Sequence, residues 1–205
     1  FGYGMVIASG CGNKALVRVG GGNLKSVVVV LVIGITAFAT MKGITAVLRT
    51  LTVDTVFIDM PAGASLNGLG VSGIGYIVAA GILFWVLSDK EFWTSNSLLA
   101  GVGVGAIVVA MWWVSGHLGF VPEHPETLDA VYLGTSSGRI EALNFVAPIA
   151  NTLDWLMFYS DASKVLTTGV LAVVGVICGS AVSAIQSRTF RWESFADARD
   201  LGQHL

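Results

Sequence analysis

A cysteine stands between two glycines near the start of this chain, at Gly10-Cys11-Gly12, and two cations follow at Lys14 and Arg18. Residues four apart on a helix share a face, so Lys14 and Arg18 read as one basic edge. Gly10 and Gly12 permit the positive backbone angles of a tight break between half-helices, and they leave room for an approach to the Cys11 sulfur. A thiol, free backbone N–H groups at a helix start and nearby positive charge together suit a small anion. Asn13 adds a side-chain amide beside them.

Other chemistry-bearing residues are more dispersed. Lys42 lies in an otherwise apolar run and has two readings: its head reaches the membrane interface, or it faces an internal anion pathway. Cys178 sits mid-span among apolar neighbours and reads first as a small packing residue. His117, Glu123, His124, Glu126 and Asp129 invite a metal reading. Their spacing matches no zinc pattern, and Pro122 and Pro125 oppose a helical pair of ligands, so a solvated loop is expected. No cofactor is called for.

The elements that position these residues follow from composition. Hydrophobic residues make up 54% of the 205 and charged residues 12%, half the charged share of an ordinary soluble domain, and mean hydropathy is +0.78. The net charge of −2 offers no electrostatic footprint for nucleic acid. The fold class expected is an all-α integral membrane protein, a multi-span helix bundle lying in the lipid bilayer. Many of its 26 glycines fall inside apolar runs, where small residues let helices approach closely.

One membrane domain, 1–205, is expected. Residues 1–25 read as a re-entrant element broken around Gly10-Cys11-Gly12. Spans are predicted at about 26–48, 69–87, 98–114 and 165–185, each near the 20 apolar residues that cross a bilayer. The valines of 27–30 suit a strand, but the run is too long for one. Residues 141–159, with Glu141, Asn144, Pro148, Asn151 and Thr152 near one face, read as an interfacial or a cavity-lining helix. Residues 186–205 read as an amphipathic surface helix.

The runs Gly2-Tyr3-Gly4-Met5, Ala8-Ser9-Gly10-Cys11-Gly12-Asn13-Lys14 and Gly20-Gly21-Gly22-Asn23-Leu24-Lys25-Ser26 resemble the YeeE/YedE family of sulphur-transport membrane proteins. The similarity is densest over residues 1–50 and recurs from Arg191 to Leu205. The resemblance implies two inverted halves, each with a Gly-Cys motif directed to the membrane centre, in a multi-pass protein of the bacterial inner membrane. It implies uptake of a sulphur-containing anion, thiosulfate foremost, along a path through Cys11, with Gly10, Gly12, Asn13 and Lys14 beside it and Arg18, Lys42 and Cys178 as secondary candidates. The chain opens inside the first motif and stops where the family continues to its second, so it is expected to be part of a longer one.

Two other classes compete. A non-transporting membrane subunit that scaffolds a partner, such as a sulphur-handling protein or another membrane subunit, would also use glycine-rich helix faces. A thiol enzyme carrying a persulfide on Cys11 would need a second catalytic group. No Cys-x-x-Cys pair is present, and no His or carboxylate neighbours Cys11 in sequence, so an enzyme is not expected.

Overall fold

A computed structural model describes residues 10–53, 55, 73–123, 130–161 and 166–194. Among these residues the helices are α1 (Gly12–Gly20), α2 (Leu24–Lys42), α3 (Ile44–Thr52), α4 (Ile74–Ser88), α5 (Ser95–Trp113), α6 (Val146–Met157) and α7 (Thr168–Gln186). A short 3-10 turn (Lys90–Trp93) joins α4 to α5, and α5 runs on into a π turn, Val114–Leu118. Strands β1 (Phe120–Val121) and β2 (Val131–Tyr132) pair antiparallel, Phe120 opposite Tyr132. The protein is mostly helical, and among the described residues three helices are long and apolar enough to cross a membrane: Leu24–Lys42, Ser95–Leu118 and Thr168–Gln186.

The chain divides into two units, residues 1–49 with 111–205, and residues 50–110. The first carries the core. There α2 packs on α1 and α6, while α7 packs on the same two helices. Leu16, Phe145, Ile149 and Val173 form the buried centre, with Val30 and Ile33 of α2 against it. At 1.5 Å per residue, the 19 residues of α2 and of α7 extend about 28 Å, close to the hydrocarbon thickness of a bilayer. The 9 residues of α1 and 12 of α6 reach only about 13 and 18 Å. Two half-length helices therefore pack between two full-length ones.

Glycines set the closeness of that packing. A methyl at Gly20 would overlap Ser180 Oγ and sit 2.5 Å from the Ile177 carbonyl of α7. A methyl at Gly34 would crowd Leu153 of α6, and one at Gly169 would lie 2.9 Å from Pro148 Cγ. The glycine run between α1 and α2 has a different function. Gly22 takes φ +94°, and its open face meets the Arg191 carbonyl. Residues 191–193 return to this turn: Arg191 N–H donates to the Gly21 carbonyl (3.2 Å), and Leu24 N–H donates to the Glu193 carbonyl (2.9 Å). Asn23 caps α2 by accepting from Ser26 N–H at 3.0 Å, while its Nδ2 donates to Glu193.

In the second unit, α4 and its 3-10 turn are joined by Trp93 Nε1 donating to the Leu87 carbonyl at 3.0 Å. Helix α4 exposes Tyr76, Ile77, Phe84 and Trp85, a surface that suits acyl chains rather than water.

Several expected ranges change. The helix predicted through 26–48 ends at Lys42; Gly43, at φ −101° and ψ −158°, turns the chain into α3. An amide at Gly43 still donates to the Ala39 carbonyl, but the extended ψ cannot continue the helix. Residues 187–194 are a turn and an extended segment instead of the start of a surface helix: the amides of 187–190 bond back to α7 carbonyls, and residues 191 and 193 bond to the α1–α2 turn. The part of the expected re-entrant element before Gly10, residues 56–72 (which include the start of the span expected at 69–87) and residues 195–205 lie outside the described residues.

Candidate functional site

Cys11 is the residue that enters α1. Its backbone is extended (φ −79°, ψ 166°), and its side chain makes no capping hydrogen bond. The carbonyl of Cys11 accepts from Ala15 N–H at 3.1 Å, so the helix begins immediately after the thiol. The N–H groups of a first helical turn have no partner within the helix. They leave partial positive charge where the exposed thiol stands.

Gly10 precedes it at φ +145°, an angle a side chain rarely adopts. A Cβ there would lie 2.7 Å from Lys14 Cδ. The Lys14 stem thus runs back over Gly10, in the direction helical side chains take toward their own N-terminus. Asn13 and Lys14 are exposed, as is Arg18 in the last turn.

Gly12 faces inward. Its missing Cβ would contact Ile149 Cδ1 at 3.7 Å and Val146 Cγ2 at 3.8 Å. Val146 is the first residue of α6, whose N-cap Phe145 likewise makes no side-chain capping bond. The starts of the two half-length helices therefore lie side by side. Both contribute the positive end of a helix dipole to one neighbourhood.

Cys178 occupies another place. Gly20 of α1 abuts residues 177–181 of α7, so Cys178 sits level with the far end of α1, about 12 Å along the helix from its start. It is exposed, and both cysteines are free thiols.

Lys42 belongs to a second locus. Its Nζ lies 3.3 Å from Asp154 Oδ2, the lysine side chain 56% exposed and the carboxylate 10%. The ammonium also stands 5.8 Å from the Phe38 ring centroid. The pair lines a cavity of about 640 Å³ shared with Ser136, Glu141, Asn144, Asn151 and Thr167. Glu141 closes its edge: one carboxylate oxygen accepts from Ser136 N–H (2.9 Å), Ser136 Oγ (2.8 Å) and Ser137 N–H (3.0 Å). Cys11 is not among the residues lining this cavity.

Asp154 is the residue that sequence reasoning passed over. The signal was present: one carboxylate in a 12-residue apolar helix needs a partner to be buried. His117, by contrast, stacks on Trp113 with centroids 5.6 Å apart. Among the described residues, no group of three His, Cys, Asp or Glu could hold a metal ion. His124, Glu126 and Asp129 lie outside them.

A family model described as sulphur transport matches residues 1–205, the whole chain. The chain belongs to the sulphur-transport family. No curated protein gives a match. Membership and the apolar helices together make this a multi-pass membrane protein of sulphur transport. In this sulphur-transport protein, the Gly-Cys segment is the start of a half-length helix, and the glycine run after it is the turn that seats α1 against α2.

Proposed function

We propose that the protein takes up a sulphur oxyanion, thiosulfate foremost, across the bacterial inner membrane, and that Cys11 is the contact on its path. The observation that carries this reading is the exposed Cys11 thiol at the start of a half-length helix, beside the start of a second. Bringing a dianion to membrane depth requires donors and positive potential without permanent capture. Half-helix N-termini supply both. Lys14 adds a full charge on a flexible stem, and Asn13 a neutral donor.

The thiol contributes what a hydroxyl does not. It is a weak S–H donor with a soft, polarisable surface, matched to a terminal sulfur. Transfer past it needs no covalent bond, so the reading is transport without catalysis. Gly10 leaves room for the Lys14 stem to lie over it, and Asn13 and Lys14 hold the anion near the sulfur.

The test is uptake of sulphur-labelled thiosulfate by cells producing the complete gene product, beside Cys11→Ala and Cys178→Ala at matched membrane levels. Uptake lost in C11A and kept in C178A is the expected result. Equal uptake by C11A and the unaltered protein removes Cys11 from the path. No uptake by the unaltered protein favours a partner-binding membrane subunit.

A further inference from the structure

The Lys42–Asp154 cavity lies apart from the thiol and calls for its own account. Asp154 is held on α6, and Lys42 ends α2; the two are 112 residues apart in sequence. Among the described residues, the charged groups lining the cavity are Lys42 from α2, Asp154 from α6 and Glu141 from the segment before α6. Helix α7 contributes Val170 and its cap Thr167, neither of them charged, and the residues of α1 are not part of the lining. Ionised, these three groups together carry one net negative formal charge, which disfavours an anion beside them.

From this we infer that Asp154 is the proton-accepting group of a proton-coupled anion uptake. The inference rests on the transport reading above. A metal cation would have to compete with the ammonium already 3.3 Å from the carboxylate. A proton does not: it forms an O–H bond on Asp154, neutralises it, and releases Lys42 from its partner. The three groups then sum to neutral, with the Lys42 ammonium released toward an anion. Lysine suits this function because its head rides on a flexible four-carbon stem, and here the side chain is more than half exposed.

The coupling is reciprocal by linkage. A proton on Asp154 favours an anion near Lys42, and an anion near Lys42 favours the proton. The proton comes from water outside the cell and leaves to the cytoplasm when Lys42 pairs again with the carboxylate. A dianion entering an inside-negative cell moves against the potential, and each accompanying proton offsets part of that charge. Ionisable groups inside membrane bundles commonly mark such relays.

The complete protein is reconstituted in proteoliposomes, and thiosulfate is added outside. Two readouts are taken: labelled uptake with and without an acid-outside gradient, and the external pH of a weakly buffered medium. The expected result is external alkalinisation on thiosulfate addition and uptake several-fold faster under the gradient. In Asp154→Asn the ratio of the two uptake rates falls to near one.

A gradient response in D154N equal to that of the unaltered protein overturns the inference. So does thiosulfate uptake by the unaltered protein without alkalinisation, which decides the matter even if D154N fails to accumulate or is inactive. Absence of any uptake by the unaltered protein overturns the transport reading and the coupling together, and is distinguished by the missing label.

Discussion

Gly20 and Gly21 are adjacent, yet their packing predicts opposite responses to one methyl group. At Gly20 the new carbon would lie 1.8 Å from Ser180 Oγ, 2.5 Å from the Ile177 carbonyl oxygen and 2.9 Å from the Ala181 nitrogen. Two of the three are backbone atoms of α7 and cannot rotate away. Overpacking of this kind costs about 1–3 kcal/mol, and the fixed backbone places Gly20→Ala near the upper end. Exchanging glycine for alanine in a helix returns about 1 kcal/mol, leaving a net loss of about 2 kcal/mol. For a chain of this size that corresponds to a melting temperature lower by about 4–8 °C.

At Gly21 the backbone is already in the right-handed region, φ −72°. Its nearest neighbour to an added carbon is the Arg18 carbonyl at 3.4 Å, an ordinary contact. Gly21→Ala should stay within about 2 °C of the unaltered protein. The assay is thermal unfolding of the detergent-solubilised full chain, followed by size-exclusion recovery after heating. Equal midpoints for the two variants would refute the claim that Gly20 sets the α1–α7 separation. Because α1 carries Cys11, G20A should also reduce thiosulfate uptake, whereas G21A should not.

Other outcomes follow from the same geometry. Gly22→Ala places a side chain at φ +94°, costing about 1–2 kcal/mol, and drives its methyl to 2.5 Å from the Arg191 carbonyl. Trypsin should then cleave after Arg188 or Arg191 several-fold faster in membranes; unchanged cleavage would mean that residues 191–193 are not held by this turn. Asn23→Ala removes the cap of α2 and the bond to Glu193. The cap is worth about 1 kcal/mol, a fall of about 2–4 °C in the same thermal assay, and no change would show the cap to be idle.

The long helices were legible from residues alone. A run such as 26–41 cannot be a strand at that length, and its backbone must bond within itself in lipid. The Gly-Cys and triple-glycine runs likewise carried the family, because such combinations do not arise from hydropathy. The same local reading could not tell one glycine from another. Gly20, Gly34 and Gly169 hold helices together, whereas Gly75, Gly81, Gly103 and Gly175 have nothing among the described residues within 4 Å of an added carbon. That difference depends on which helix stands opposite.

Tertiary structure also decided the break at Gly43 and the partner of Lys42. Within its own segment, Lys42 is a cation near a helix end, compatible with an interface or a pathway. Asp154, far along the chain, makes it half of an ion pair in a polar cavity. Residues 146–157 show the same dependence. Their mixed pattern suited an interfacial or a cavity-lining helix, and α6 is packed between α2 and α7 with Asn151 and Asp154 toward the cavity. Hydropathy reports the cost of placing each residue in lipid or water. It does not report which distant residue compensates that cost, because the compensation is a contact made only when the helices assemble.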